Sequence, residues 1–127
     1  MPGREAFSYA LLRVVPHVER GEAVNVGIVM FCRRADFLAV RTSLNADRLK
    51  ALDPDIDLDA VATHLDALER VAAGDASAGA VASQPISERF HWLVAPASTI
   101  IQPSEVHTGL CDNPAETLQR LFDQLVA

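Results

Sequence analysis

The stretch that decides the fold is Val24-Asn25-Val26-Gly27-Ile28-Val29-Met30-Phe31-Cys32-Arg33. Its side chains alternate with a period of two, the period of a strand. Val24, Val26, Ile28, Met30 and Cys32 fall on one face, and Asn25, Gly27, Val29, Phe31 and Arg33 on the other. The first face is the one expected against the helices. Upstream, Phe7-Ser-Tyr-Ala-Leu-Leu-Arg-Val-Val15 is rich in β-branched and aromatic residues and stops at Pro16, which reads as a strand buried on both faces. Downstream, Arg34-Ala35-Asp36 makes a tight turn into a third strand over 37–43. The connections are too short for crossovers, so the three strands form an antiparallel meander.

Helical signals follow. Asn45 or Ser43 caps a short helix, ADRLKAL. Leu58, Val61, Leu65, Leu68 and Ala72 recur at helical spacing up to Gly74. Ser87 caps a third segment, ERFHWLVA, and Thr99–Gln102 reads as a short later strand. Asn113-Pro-Ala-Glu116 resembles a capping box with proline at the first helical position. The expected fold is therefore α+β, one domain over residues 1–127. Its sheet is mostly antiparallel, of about four strands (the meander plus one later strand), with helices packed on one face.

Charge is unevenly spread within a net −6. Residues 1–50 hold eight Arg/Lys against five Asp/Glu, giving +3, and residues 51–127 hold three against twelve, giving −9. An acidic chain is a poor candidate for nucleic-acid binding, which rests on neutralising phosphates. No apolar run approaches the roughly 20 residues of a membrane span. The N-terminus lacks a basic start followed by a long apolar core, so a cytoplasmic location is expected. Cys32 and Cys111 make neither a disulfide framework nor a zinc spacing, and both are expected as core thiols.

Two segments concentrate polar residues that burial does not require. The first is Glu19-Arg20-Gly21-Glu22, followed by Asn25 and Gly27. As a plain connection, Gly21 supplies positive φ and Gly27 marks a bulge or a close backbone approach. As a recognition surface, Glu22, Asn25 and Gly27 would share a face and grip a polar partner. Two glutamates three residues apart are too few oxygen ligands for a hard cation, so no metal is expected. The second segment runs from Arg89 through Ser98, Thr99 and Gln102 to His107 and Thr108. His107 has the pKa class for acid–base work and Cys111 lies four residues on, so a cysteine–histidine pair can be written, although no other residue supports it. Trp92 is expected in the core. Arg13 and Arg41 are charges on strands. With Arg33 and Arg34 they would form a basic patch for an acidic partner or a phosphate, the alternative being solvent-facing positions or pairing with nearby carboxylates. No P-loop, GxSxG or GxGxxG motif occurs.

Three blocks together, YALLRVVPHVERGEAVNVGIVMFCRRADFLAVR, LDPDIDLDAV and ERFHWLVAPASTIIQPSEVHTGLCDNP, resemble the bacterial domain-of-unknown-function family 3037 over residues 7–126. The most specific parts are Arg13, Val15 and Pro16, the ERGE-x-VNVG run from Glu19 to Gly27, and the APxST…QPSxVHTG block. Ala23 stands where bulkier residues are usual. The family has no assigned activity. Its genes often neighbour those of kinase-like proteins resembling the HipA toxins, which implies a small partner subunit.

These readings converge on a non-enzymatic protein-interaction or regulatory module, with a protein partner that the resemblance implies is kinase-like. The candidate recognition surface comprises Glu19, Arg20, Glu22, Asn25, Gly27, Arg13, Arg41, Gln102, His107 and Thr108. No catalytic residue and no cofactor is expected. The alternative is an enzyme or small-ligand binder for a phosphate- or nucleotide-like group, with Arg13, Arg41 and Arg89 as anion contacts and Glu19 or Glu22 paired with His107.

Overall fold

The computed structural model describes residues 4–97 and 99–127. Ser98, grouped above with the polar segment, lies outside the described residues, as do residues 1–3. The spine is an antiparallel hairpin of β1 (Glu5–Val14) and β2 (Val24–Cys32), joined through a 3-10 turn at Val18–Arg20. β3 (Phe37–Thr42) pairs with the outer side of β2. On the other side of β1 lie β4 (Ile101–Pro103) and β5 (His107–Cys111), both antiparallel to it. The sheet order is β3-β2-β1, followed by β4 and β5 along the same flank of β1.

The α+β class and the antiparallel meander are as expected. Among the described residues the sheet has five strands, because the segment after Gln102 continues past an irregularity instead of leaving the sheet. The register moves by one residue between the pair Leu12–Pro103 and the pair Tyr9–His107. Ser104 closes the gap. Its backbone N–H donates to Leu11 O at 2.8 Å, and its Oγ accepts from Leu11 N at 2.9 Å.

Four helices complete the chain among the described residues: α1 (Ala46–Leu52), α2 (Leu58–Ala73), α3 (Ile86–Val94) and α4 (Pro114–Leu125). Their caps follow the local chemistry. Asn45, Asp57 and Asn113 each accept from a first-turn N–H, satisfying a donor that the helix leaves orphaned. Gly74 ends α2 at φ +75, a left-handed conformation that suits glycine. α3 instead begins behind Pro85 with no side-chain cap, so Ser87 lies inside the helix and does not cap it.

Helices pack on both faces of the sheet, and the expectation of one covered face is corrected. The reason is that residues 28–32 are apolar at both parities, so both faces need cover, and a bulge in β2 sets which parity faces which helices. Arg13 pairs with Asn25 and Leu12 with Gly27, which leaves Val26 as an extra residue. The bulge reverses the alternation within β2. Val26, Val29 and Phe31 join α2 and α3 in one core with Leu12, Val61, Leu65, Phe90 and Leu93. Ile28, Met30 and Cys32 join Leu118 and Leu121 of α4 in a second core with Phe7 and Cys111. Gly27 is demanded at the bulge. A Cβ there would meet Arg41 O at 3.1 Å and both Leu12 Cδ1 and Thr42 Cγ2 at 3.2 Å. No described helix is long and apolar enough to cross a membrane.

Candidate functional site

At the Val14/Val24 end of the hairpin, the fold itself uses most of the polar side chains singled out above. Asn25 Nδ2 donates to Leu125 O at 3.0 Å and ties β2 to the end of α4. Arg48 supports the same terminus by donating to Val126 O at 3.3 Å. Asn25 projects to the α4 side while Gly27 faces α2, so the expected common face of Glu22, Asn25 and Gly27 is broken by the bulge. Arg41 lies 5.8 Å over the ring of Phe122, shielding α4. Arg13 pairs with Asn25 on one side and Gln102 on the other. Its Nε is buried without a hydrogen-bond partner. The amide of Gln102 donates to Thr99 O at 3.0 Å.

The ERGE turn stays in solvent. Arg20 and Glu22 pair with each other, and this hydrogen bond and charge raise the Arg20 guanidinium pKa above its ordinary value. Glu19 is 3.8 Å from His17 Nδ1, and His17 Nε2 is 3.8 Å from Asp53. His107 stacks near Tyr9, with ring centroids 5.2 Å apart, and lies 3.6 Å from Glu105. It stands opposite Tyr9, five residues along β1 from Val14, or roughly 17 Å of strand. Glu22 lies beyond the Val14 end, so the acid–base pair of Glu22 with His107 is not assembled. Cys111 is four residues from His107, roughly 13 Å along the same strand, so the cysteine–histidine pair does not form either. Burial, then the neighbouring Cys32, pushes the Cys111 thiol up. Arg89, the other suggested anion contact, donates to Val71 O, Ala72 O and Gln84 O at 3.1, 2.9 and 2.9 Å, which caps the C-terminus of α2. Trp92 is 49% exposed and does not fill the core.

The opposite end of the hairpin is built differently. Between α3 and β5 the sheet surface is left open as a groove of about 610 Å³. Ala6, Ser8, Thr108 and Leu110 form its floor, and Phe31, Phe90 and His91 stand along one wall. Arg4, Arg33 and Arg34 rim it, and among the described residues no carboxylate lines it. Arg33 sits 5.6 Å over the Phe31 ring. None of the three arginines forms a salt bridge or donates a side-chain hydrogen bond among the described residues. The groove exists because Ala6 and Ser8 are small where the alternation of β1 calls for a large apolar side chain on that face. The expected basic patch is thus divided. Arg33 and Arg34 belong here with Arg4, while Arg13 and Arg41 lie toward the other end on the α4 side. Thr108 shares the groove, and His107 next to it points to the other face of the sheet.

The architecture defines a small α+β sandwich, with a five-stranded antiparallel sheet between a single helix and a helical layer. The chain belongs to the family described as a protein of unknown function (DUF3037), whose model matches residues 9–126. No curated protein and no solved structure matches it.

Proposed function

We propose that this domain is a non-enzymatic protein-interaction module that receives an acidic surface of a partner protein in the groove between α3 and β5. The observation that carries it is the rim of Arg4, Arg33 and Arg34 with His91 and no lining carboxylate, in a chain of net charge −6. Against that background, three closely grouped arginines that form no ion pair among the described residues mark a local potential suited to anions. The partner implied by the sequence resemblance is kinase-like, and the reading places the complex in the cytoplasm, where the free thiols Cys32 and Cys111 stay reduced. The exposed Glu19, Arg20 and Glu22 offer a second polar contact. A partner reaching both regions has to run along roughly 30 Å of sheet.

Co-purification from the native host tests this reading. Wild-type chain retains a stoichiometric partner, and the double variant Arg33→Glu/Arg34→Glu loses it while remaining folded. A partner held equally by both overturns the assignment to the groove. The hydroxyls of Ser8 and Thr108 on the floor favour one second reading, a phosphate- or nucleotide-like small ligand. Titration with inorganic phosphate and with a nucleotide, read by backbone amide shifts around the groove, separates it from the first.

A further inference from the structure

We infer that β5 is an acceptor edge at which an extended, acidic segment of the partner adds as a sixth strand, its alternate side chains falling among Arg4, Arg33 and Arg34. The inference rests on the interaction reading above and specifies how the groove is filled.

The hydrogen-bonding phase of the edge follows from observed bonds. Val15 N donates to Ile100 O and Ser104 N donates to Leu11 O, both at 2.8 Å. Odd-numbered β1 residues therefore bond toward the β4/β5 flank, and even-numbered ones toward β2. The irregularity on this flank lies in Ser104–Val106 and leaves the phase of β1 intact. Continuing it, Tyr9, Phe7 and Glu5 bond to their partners His107, Gly109 and Cys111. Thr108 and Leu110, opposite Ser8 and Ala6, then turn their N–H and C=O groups away from β1. Among the described residues these outward groups meet no other backbone partner.

The two halves of this edge are treated differently. At β4, Pro103 occupies an outward position, where it has no N–H to offer, and the displaced Ser104–Val106 turn breaks the pairing surface. Both devices guard a free edge against unwanted pairing. β5 carries neither. Its Leu110 is 61% exposed, and the Thr108 and Leu110 side chains already lie on the groove floor. One pair of residues thus offers main-chain bonds in the plane of the sheet and a side-chain floor beneath the basic rim. That is the arrangement used in strand addition, where the backbone supplies affinity and alternate pockets supply selectivity.

Charge decides the occupant. Antiparallel pairing of β5 with a second copy puts the two-fold axis normal to the sheet and keeps both grooves on the same side. Two arginine rims would then adjoin, an arrangement that like-charge repulsion opposes. An acidic strand meets complementary charge in the same position.

The test uses the full chain and a blocked eight-residue peptide of alternating glutamate and valine. At saturating peptide, the Thr108 and Leu110 amides gain tenfold or greater protection from hydrogen exchange. The His107 and Gly109 amides, already bonded to β1, change little. Shifts confined to the arginine side chains, with Thr108 and Leu110 unprotected, overturn strand addition. Protection that rises with protein concentration alone assigns the edge to a second copy and also overturns it.

The variant Leu110→Pro removes an outward N–H without taking a bond from β1, and its amide spectrum reports whether the fold survives. If it is perturbed, Thr108→Pro makes the same deletion two residues away. With the native partner, loss of tenfold or more in affinity for both Leu110→Pro and Arg33→Glu/Arg34→Glu supports both readings. Loss only with the arginine variant leaves the groove interaction standing and removes strand addition. Full binding by both variants removes both.

Discussion

The two ends of the β1–β2 hairpin teach opposite lessons about conspicuous residues. The Val14/Val24 end carries the more distinctive sequence, yet its central polar groups are mostly engaged. Asn25 is spent on the end of α4, Gly27 on a crowded bulge and Arg41 on Phe122. The Cys32/Phe37 end carries a plain Arg-Arg turn, and its cations, which form no ion pair among the described residues, rim an open floor. A polar residue inside a strand is as readily a device for holding a helix as a ligand contact. A pair of arginines in a turn looks solvated until the small residues across the sheet are seen.

The largest effects expected from breaking this contrast come from glycines. Gly27→Val inserts branched carbon atoms where even a Cβ meets the Arg41 carbonyl at 3.1 Å, and backbone cannot swing aside as a flexible side chain can. A loss of about 1–3 kcal/mol is expected, the usual cost of overpacking, seen as a lower denaturant midpoint with an unchanged m-value. Gly109→Ala is comparable, because its Cβ would come within 2.7 Å of the buried Phe7 ring. If Gly27→Val is neutral in stability and instead abolishes partner binding, the roles assigned to the two ends are reversed.

Asn25→Ala comes next. It deletes the donor to Leu125 O and leaves that carbonyl without this bond, at a cost of about 1 kcal/mol. The loss should appear as faster amide exchange in the last turn of α4, with the groove unaffected. A spectrum perturbed at Arg33 and Arg34 instead would show that the ends are coupled.

These two positions also mark how far the sequence can be read. Periodicity and caps revealed β1 to β3, α1, α2 and α4, because each depends on neighbours in the chain. Gly27 was recognisable as a bulge or a close approach. Its consequence was not, since a single extra residue transfers Ile28, Met30 and Cys32 to the face opposite Val26, where they pack against α4. β5 was hidden because, in His107-Thr-Gly-Leu-Cys111, only Thr108 is β-branched and Gly109 interrupts the strand signal. Of the groove, Arg33 and Arg34 were visible as charge. Arg4 joins them through the β1–β2 hairpin and His91 through the packing of Phe90 on Phe31, while Thr108 and Leu110 enter the floor only through pairing between residues about a hundred positions apart.

A smaller effect belongs to the second core. Burial and Cys32 raise the Cys111 thiol pKa, so the native state holds this proton to higher pH than the unfolded chain does. Protons bound in excess by the native state make stability fall as pH rises. The contribution is fully present below the ordinary thiol range of about 8.5 and is lost as pH climbs through the raised value. Cys111→Ser, compared with wild type in chemical denaturation across this alkaline window, should flatten the decline. An unchanged slope assigns the decline to other groups.

The smallest effect on stability is expected where the functional effect is largest. Arg33→Ala/Arg34→Ala removes two cations that hold no ion pair and no side-chain hydrogen bond among the described residues. The contact of Arg33 over the buried Phe31 ring is the packing contact at risk, worth about 0.5–1 kcal/mol for a guanidinium that is itself exposed. The denaturation midpoint should therefore move by less than in Gly27→Val, while partner affinity falls and its salt dependence flattens, because fewer charges are then screened. A destabilisation as large as that of Gly27→Val would mean that the arginines help to hold the sheet. Both ends of the hairpin would then be structural, and the groove would lose its claim as the place where a partner docks.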